Sequence, residues 1–342
     1  MVFLRYSCPR KADLVLRIAV LDDWQDVARS AVDWSALERR AEIVFFTRPF
    51  DTPEAAAHAL ADFDIVVAMR ERTVFPAALI DRLLRLRMIA LTGVRSGTLD
   101  FDACTARGIA VCNTGSDHSN ATTAELALAL LFVAARHVGA ADRSMRSGHF
   151  QDDVPLGMLL EGRKLGVVGL GKIGSRIARV GHALGMEVLA WSQNLTAEHA
   201  QACSARLVDK ATLFAESDAV SLHLVLSERT RGVVGRAELA RMKPQAILIN
   251  TSRGPLIDES ALLANLRQGR LVAALDVYDR EPLPADHPLR TLPNVVHTPH
   301  LGYCTQEVYA QFYGESIENV IAFLDGRPIR VVNPKSLEGR VP

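Results

Sequence analysis

The sequence has no excess of charge, and this absence excludes several classes of partner. Across 342 residues, Lys and Arg together number 39 and Asp and Glu together number 39, so the formal net charge is zero. A chain without a net positive field does not attract a polyanion or an anionic membrane surface over long range. We therefore expect neither a nucleic-acid partner nor a membrane partner.

Cysteines and long apolar runs are also scarce. The five cysteines are scattered and odd in number, and no Cys-x-x-Cys pair occurs, which fits free thiols better than a disulfide framework. The longest strongly apolar stretch, Leu126 to Ala135, is about half of a membrane span. Arg5, Arg10 and Lys11 interrupt the N-terminus before the apolar core of a signal peptide can form. These features predict a cytoplasmic protein.

The sequence does contain a repeated alternation of short apolar runs and helical segments. A hydrophobic content of 49% with 23% charge is typical of a globular protein, and the length favours two domains. The first third predicts five strands, at Arg17–Asp23, Glu42–Phe46, Ile65–Met69, Arg87–Leu91 and Ile109–Cys112. A second series predicts six strands of one doubly wound parallel sheet, at Val167–Gly169, Val188–Trp191, Ala219–His223, Ala246–Asn250, Val272–Asp276 and Val295–His297.

Two helical segments flank the second series of strands. The segment from Thr122 to Ser147 is dense in Ala and Leu and predicts one long buried helix that crosses between the domains. The segment from Thr305 to Leu324 predicts a last helix, which most simply returns to the first domain. The predicted fold class is α/β, with a Rossmann dinucleotide domain (residues 120–300) inserted in a flavodoxin-like substrate domain (residues 1–119 and 301–342).

A glycine series marks the start of the second domain. Gly169, Gly171 and Gly174 form a Gly-x-Gly-x-x-Gly pattern between an apolar run and a helix-period segment, and Glu187–Trp191 reads as the next buried strand. Such glycines close a tight turn, let backbone N–H groups approach a pyrophosphate and let the helix pack on the strand. The phosphate then lies at the positive end of a helix. The pattern predicts dinucleotide binding.

Three further stretches follow predicted strands, where α/β folds place their ligands. They run from Asn250 to Asp258, from Ala274 to Pro282 and from Asn294 to Tyr303, and Asp258 is placed to cap a helix. The order Gly-x-Gly-x-x-Gly, Ser-Arg-Gly, Asp-Val-x-x-x-Glu-Pro and Thr-Pro-His-Leu-Gly resembles the D-isomer-specific 2-hydroxyacid dehydrogenase family. The resemblance covers nearly all of the chain from Arg17 to Val332.

The resemblance implies hydride transfer between a nicotinamide cofactor and a small 2-keto or 2-hydroxy acid, in a homodimer. The family's catalytic Arg, Glu and His fall on Arg253, Glu281 and His300. His300 suits the proton transfer because imidazole titrates near neutral pH, and Glu281 can orient it and favour its charged form. Arg253 suits the substrate carboxylate because its guanidinium is planar and permanently charged.

The remaining site predictions concern the two ligands. The predicted cofactor-binding residues are Gly169, Gly171, Lys172, Ile173, Gly174, Ser192, Thr251 and Asp276, and the predicted substrate-binding residues are Arg95, Ser96 and Arg253. The acidic residue that usually binds the ribose hydroxyls of NAD is absent, because the strand runs into Ser192. The sequence therefore does not decide between NAD and NADP as the cofactor. Arg95 stands in a loop that usually offers backbone donors to the substrate carboxylate, and it adds a positive charge there.

Each site residue also has a structural alternative. Arg253 could form a salt bridge at a helix end, Glu281 could be a surface carboxylate, and His300 could be a hydrogen-bonded core histidine. A metal site at His297, His300 and Cys304 is disfavoured because Pro299 breaks any helix that would align them, so no metal is expected. His223 could lie near the cofactor or simply be buried at a strand end, and the run Arg70–Arg72 could be a solvated turn.

Two alternatives remain at the level of function. One is oxidation of 3-phosphoglycerate, which the resemblance allows. The other is a dinucleotide-sensing protein of the transcriptional corepressor kind, because such proteins share this fold and the Arg, Glu and His. Corepressors of that kind carry long flexible tails, whereas this chain has about ten residues past Val332. An enzyme is the preferred interpretation.

Overall fold

The computed structural model describes residues 15–94 and 96–338, and these residues form two compact units. The first unit comprises the chain up to Ser116 and from Thr305 onward, and the second comprises Asp117–Cys304. The second unit thus begins three residues before the predicted domain boundary and ends four residues after it. The sequence from Met1 to Leu16 predicts a mixed extension before the first strand, and residues 1–14 of it lie outside the described part.

The first unit is built on a parallel five-stranded sheet. Its strands are β1 Arg17–Val20, β2 Glu42–Phe45, β3 Ile65–Ala68, β4 Met88–Leu91 and β5 Ala110–Asn113. Its helices are α1 Ala28–Ala31, α2 Ser35–Glu38, α3 Pro53–Leu60, α4 Ala77–Ile80 and α5 Phe101–Ala106. The strand order β2-β1-β3-β4-β5 is the flavodoxin-like order, so both the five strands and the fold class predicted for this part are confirmed.

The second unit is built on a parallel seven-stranded sheet. Its helices are α6 Asp117–Ala135, α7 Val138–Arg146, α8 Gly174–Ala183, α9 Ala197–Ala202, α10 Lys210–Glu216, α11 Arg236–Arg241 and α12 Glu259–Arg267. Its strands are β6 Lys164–Val168, β7 Glu187–Trp191, β8 Arg206–Leu207, β9 Ala219–Leu222, β10 Ala246–Asn250, β11 Leu271–Leu275 and β12 Val295–His297. The two-residue strand β8 was not predicted.

The strand order of this sheet fixes where a ligand can bind. The order is β12-β11-β10-β9-β6-β7-β8, so the sheet grows in one direction from β6 and then in the other from β9. In register, Val168 pairs with Trp191 on one side and with Leu222 on the other. Doubly wound sheets bind ligands outside the carboxyl ends of their strands at such a reversal. The glycine turn follows β6 at this point.

The inner strands β6, β9, β10 and β11 are largely buried on both faces, as parallel sheets covered by helices are. In β10, Ile247 and Ile249 pack on the side of α6 and α8, whereas Ala246 and Leu248 pack on the side of α10, α11 and α12. Side chains alternate between the faces with a period of two. The sheet therefore presents only its ends and edges to ligands.

The predicted continuous helix from Thr122 to Ser147 is wrong. The helix ends at Ala135 and a second one begins at Val138, because His137 between them adopts a left-handed backbone conformation with φ of 50°. The chain bends there by 64°. No single helix among the described residues is both long and apolar enough to span a membrane, although α6 and α7 taken together have the length and composition of a span.

The last helix, α13 Gln306–Leu324, packs against β4 and β5 of the first unit. It begins at Thr305, whose side chain accepts a hydrogen bond from the backbone N–H of Val308. Asp258 caps α12 in the same way through the N–H of Ala261, as predicted. Such caps satisfy N–H groups that a helix leaves unpaired and contribute about 1 kcal/mol each.

Candidate active site

The glycine turn after β6 has the geometry of a phosphate cradle. Gly169 has a φ of 95°, and a Cβ on it would lie 2.7 Å from the carbonyl oxygen of His223. A Cβ on Gly174, the first residue of α8, would overlap the carbonyl oxygen of Gly169. Around Gly171, by contrast, no atom lies within 4 Å of an added Cβ. The turn is thus closed on the protein side and open at Gly171, where a pyrophosphate would approach.

The residues that follow Gly171 lead directly into α8. Lys172 is exposed, Ile173 is the N-cap residue of the helix, and the N–H of Ser175 donates to the carbonyl of Gly171 at 2.9 Å. The first turn of a helix leaves backbone N–H donors for an anion, and the helix dipole adds a partial positive charge. The chain therefore holds the predicted pyrophosphate residues in one continuous turn.

Two buried polar atoms at neighbouring strand ends have no hydrogen-bond partner among the described residues. They are the hydroxyl of Thr251, after β10, and Nδ1 of His223, after β9. The other ring nitrogen of His223 lies 2.9 Å from the hydroxyl of Ser221. Burial lowers the pKa of His223 to about 3, so the imidazole is neutral near pH 7. Buried unpaired groups are costly, and a ligand at this edge would satisfy them. The edge therefore fits a dinucleotide.

Ser192 follows β7 at the same edge of the sheet. It is partly buried, and the next two residues, Gln193 and Asn194, are exposed. The carbonyl of Ser192 accepts a hydrogen bond from the N–H of Leu195 at 3.2 Å, which turns the chain toward α9. Residues 192–194 include no acidic or basic side chain to select between a ribose hydroxyl and a 2′-phosphate. Nζ of Lys210 lies 5.6 Å from the ring centroid of Trp191, the last residue of β7.

The carboxylate of Asp276, at the end of β11, holds the segment that carries His300. Its Oδ1 accepts from the hydroxyl of Thr298 at 2.6 Å and from the N–H of Leu301 at 2.7 Å, and its Oδ2 accepts from the N–H of Gly302 at 3.0 Å. Burial raises the pKa of Asp276, while these hydrogen bonds act in the opposite direction. The sequence pattern predicted that Asp276 binds the cofactor. These contacts show that Asp276 stabilises the segment that carries His300.

Arg253 lies in a loop that is fixed on both sides. Its carbonyl accepts from the side chain of Asn250 at 2.8 Å, and its Nη1 donates to the carbonyl of Ser252 at 2.7 Å. The next residue, Gly254, touches the peptide that joins Tyr278 and Asp279 so closely that a Cβ would overlap it. The loop after β10 is therefore clamped against the loop after β11.

His300 and Glu281 form a close pair. Nδ1 of His300 lies 2.6 Å from Oε2 of Glu281, and the side chains are 15% and 19% exposed. The other carboxylate oxygen of Glu281 accepts from the N–H of Tyr278 at 3.0 Å. His300 has a left-handed backbone with φ of 56°, and its N–H donates to the carbonyl of Asp276 at 2.8 Å. The strained turn and the carboxylate together orient the imidazole.

The predicted substrate residues of the first unit lie in the loop after β4. Arg95 lies outside the described residues. The buried hydroxyl of Ser96 lies 2.9 Å from that of Thr98. Glu71 accepts from the N–H of Gly97 at 3.1 Å, and the side chain of Arg70 lies against Gly93. Residues 70–72, which follow β3, therefore contact this loop. The interpretation of these residues as a merely solvated turn is wrong.

Three contributing residues were not predicted. Tyr278 donates from its hydroxyl to the carbonyl of Thr298 at 3.0 Å, and Thr298 itself binds Asp276. Both lie inside the recognised motifs, but nothing in the motif indicates which side chains hold the loops together. His199, on α9, has its Nε2 at 3.0 Å from the carbonyl oxygen of Leu170 in the glycine turn.

Among the described residues, no group of three or more His, Cys, Asp and Glu side chains is arranged to hold a metal ion. Nε2 of His297 lies 2.8 Å from the carbonyl oxygen of Leu289, and Sγ of Cys304 lies 3.7 Å from the carbonyl oxygen of His300. Burial lowers the pKa of His297. These side chains pair with the backbone of their own unit.

Comparison with known proteins adds an independent observation. The family model described as "D-isomer specific 2-hydroxyacid dehydrogenase, NAD binding domain" matches residues 128–302. A glyoxylate reductase of Aeropyrum pernix is 38% identical over 267 residues, which are 75% of this chain and 79% of the relative. A D-3-phosphoglycerate dehydrogenase of Archaeoglobus fulgidus is 36% identical over 274 residues, which are 80% of this chain. This chain spans only about half of that relative, 52% of its length.

Solved structures show the same similarity. A phosphoglycerate oxidoreductase from Vibrio cholerae matches with a TM-score of 0.86 and 35% identity, over 91% of this chain and 99% of that chain. An acyclic imino acid reductase in complex with NADPH and D-Arg matches with a TM-score of 0.72 and 28% identity, over 93% of this chain and 100% of that chain. The matches extend over both units.

Proposed function

Because the chain belongs to the D-isomer-specific 2-hydroxyacid dehydrogenase family, we propose that it interconverts a small D-2-hydroxy acid and the corresponding 2-keto acid with NAD or NADP. The observation that carries this proposal is the 2.6 Å pair between His300 Nδ1 and Glu281 Oε2 at the carboxyl edge of the second sheet. In this proposal the second unit binds the dinucleotide.

The His300–Glu281 pair moves the proton. Because Nδ1 donates to the carboxylate, Nε2 is the nitrogen that exchanges a proton with the substrate oxygen. A nicotinamide dinucleotide held by the glycine turn and Thr251 would supply the hydride for reduction. In that direction His300 gives its Nε2 proton to the substrate oxygen. The carboxylate of Glu281 holds Nδ1 and so orients the ring for this step. In oxidation His300 takes the hydroxyl proton, so one residue serves both directions.

Arg253 binds the substrate carboxylate in this proposal. The clamp between Gly254 and the Tyr278–Asp279 peptide fixes the backbone from which the guanidinium extends. A planar fork can hold a carboxylate with two parallel hydrogen bonds and can polarise the adjacent carbonyl. Fixing the carboxylate also fixes the carbonyl carbon for hydride transfer.

Cofactor binding rests on the turn after β6. Gly169, Gly171, Lys172, Ile173 and Gly174 cradle the pyrophosphate in this proposal, while Thr251 uses its unpaired buried hydroxyl to bind the cofactor. Ser192 meets the adenine ribose. Asp276 supports the site through the segment that carries His300.

The substrate carries a second polar or anionic group in our proposal. Arg253 suffices for one carboxylate, yet Arg95 is also a proposed substrate residue. The side chain of Arg70 lies against Gly93 of the same loop as Arg95. A charged hydrogen bond contributes about 1.5–3 kcal/mol, which ranks substrates tenfold or more. Hydroxypyruvate, oxaloacetate and phosphorylated 2-keto acids have such a group. The phosphoglycerate dehydrogenase relatives favour the phosphorylated acids as a second candidate class.

A homodimer is the assembly we propose. Large exposed apolar side chains cluster in one segment of the second unit, namely Phe132, Val138, Met145, Phe150, Leu156 and Leu159. Exposed apolar clusters of this kind are typical of protein–protein interfaces. We also propose a reducing, cytoplasmic location, because Cys104, Cys112, Cys203 and Cys304 form no disulfide in the described structure.

A panel of 2-keto acids, each assayed with NADH and NADPH, tests the proposed function. Glyoxylate and pyruvate are compared with hydroxypyruvate, oxaloacetate and a phosphorylated 2-keto acid, in the wild type and in Arg95→Ala. We expect turnover with at least one acid, the highest kcat/KM for an acid with a second polar group, and oxidation of D but not L products. If glyoxylate or pyruvate has the highest kcat/KM and Arg95→Ala does not change the order of the substrates, the substrate proposal fails.

A further inference from the structure

His199 bridges the two parts of the chain that flank the adenosine end of a dinucleotide. It lies on α9, which follows β7 and Ser192, and its Nε2 is 3.0 Å from the carbonyl oxygen of Leu170 in the glycine turn. In a Rossmann unit the glycine turn meets the pyrophosphate, and the end of the second strand meets the ribose 2′-hydroxyl. The imidazole, which is exposed to solvent, therefore links the helix that follows the second strand to the glycine turn.

The hydrogen bond fixes how His199 can change charge. A carbonyl oxygen only accepts, so Nε2 carries a hydrogen in both the neutral and the charged ring. Nδ1, which has no partner among the described residues, is the nitrogen that takes up the second proton. Protonation thus keeps the contact with Leu170 and creates a new donor with a positive charge.

Several titratable or charged groups lie on the elements near this histidine. Nζ of Lys210 lies 5.6 Å from the ring centroid of Trp191, at the end of β7. Cys203, on the same helix, has its Sγ 3.9 Å from Nε2, and Glu198 is engaged at the start of the helix with Thr196. Lys172 lies two residues beyond Leu170 in the glycine turn and carries a permanent charge. The window from Ser192 to Gln201 contains no Arg or Lys, so His199 is its only cationic candidate.

We propose that His199 is a cofactor-specificity residue that, when protonated, binds the 2′-phosphate of NADP(H) and makes the NADP(H) preference dependent on pH. This inference rests on the proposed function, since it concerns the same dinucleotide site. The two cofactors share the pyrophosphate and differ only in the 2′-phosphate. A change in the ratio of their dissociation constants therefore measures a change in binding of the 2′-phosphate. Because the imidazole is exposed, the effect is limited to about fivefold.

The test is a fluorescence titration of NADH and NADPH against the purified protein from about pH 6.5 to about pH 8.5. In the wild type, the ratio of the NADPH to the NADH dissociation constant should rise about fivefold with pH. His199→Gln can keep a donor to the Leu170 carbonyl but cannot be charged, so it should flatten the ratio. His199→Arg should hold the ratio low throughout. His182→Gln, at another exposed histidine of the same unit, is the matched control.

Each outcome decides the inference. The 2′-phosphate titrates in every variant, so its own contribution cancels between the wild type and His199→Gln. A wild-type ratio that does not vary with pH, or an unchanged pH dependence in His199→Gln with an unchanged melting temperature, overturns the role of His199 while leaving the dehydrogenase proposal intact. Failure of the wild type to bind either dinucleotide overturns both.

Discussion

Single residues at the carboxyl edge of the second sheet divide into those that react and those that hold them in place. His300 and Arg253 are the residues proposed to contact the substrate, whereas Asp276 and Tyr278 bind the backbone of the segment that carries His300. Glu281 does both, because one oxygen faces His300 and the other accepts from the N–H of Tyr278. Losing a holding residue should therefore disturb geometry before it disturbs proton transfer.

Ser192 gives a direct prediction about cofactor choice. With no acid at this strand end, we expect the two dinucleotides to differ by less than about 2 kcal/mol, or roughly thirtyfold. Ser192→Asp should weaken NADPH by about tenfold or more, because the new carboxylate repels the 2′-phosphate and can bind the ribose hydroxyls of NADH. Titration of both cofactors by fluorescence measures the shift, with Ser204→Asp as an exposed control. A thousandfold preference in the wild type would contradict this account.

His223 predicts how stability depends on pH. Its pKa is lowered by burial from 6.5 to about 3 in the folded chain, so the unfolded chain binds a proton more readily. The free energy of unfolding should therefore fall as the pH falls through the window from 6.5 to about 3. At about pH 5.5 the loss from this residue approaches about 1.4 kcal/mol. Urea denaturation of wild type and His223→Gln at about pH 7.5 and about pH 5.5 measures it, and equal losses in both proteins would refute the assignment.

At the scale of elements, two glycines of the same turn have different roles: Gly174 is required for stability and Gly171 for dinucleotide binding. Gly174→Ala should cost about 1–3 kcal/mol of stability, because its Cβ overlaps the Gly169 carbonyl and α8 must move away from β6. Gly171→Ala has open space around it, so its melting temperature should be unchanged while the methyl group weakens dinucleotide binding about tenfold or more. Thermal unfolding and cofactor titration of both variants check the contrast. Equal destabilisation by the two substitutions would contradict it.

The sequence predicts those elements that burial determines. It does not predict features that depend on local backbone geometry or on very short segments. The five strands of the first sheet were predicted because each is a short apolar run, and β10 is apolar because both of its faces are covered. The break at His137 was missed because a left-handed conformation at a non-glycine residue leaves no mark in composition. The strand β8 was missed because two residues, one of them exposed, carry no periodic signal.

The site follows the same division. Arg253, Glu281 and His300 stand out in the sequence because their motifs are specific, and Asp258 because a helix cap has a local pattern. The hydrogen bonds of Asp276 to residues 298, 301 and 302 depend on how two loops meet, so the sequence alone could not predict them. His199 meets Leu170 across 29 positions of the chain, and this contact was likewise beyond a local pattern.

At the scale of the whole molecule, the exposed apolar segment of the second unit predicts its assembly. Leu156 is 97% exposed and Phe150 is 69% exposed, and a two-fold axis would place each substitution twice in one interface. Leu156→Arg should weaken dimerisation about a hundredfold, since each buried leucine contributes about 1.5–3 kcal/mol. Light scattering after size exclusion checks the mass, and Leu84→Arg, on the first unit, is the control. A monomeric wild type, or a dimeric Leu156→Arg, would contradict the proposal.

The most direct test of the central claim is steady-state reduction of the best 2-keto acid of the panel by wild type, His300→Ala and the control His182→Ala. Removing the proton donor should lower kcat by about 10²- to 10⁴-fold at neutral pH, while dinucleotide affinity stays within about twofold. His182→Ala should match the wild type. Undiminished turnover in His300→Ala, or a wild type that oxidises neither NADH nor NADPH with any acid of the panel, would contradict the account.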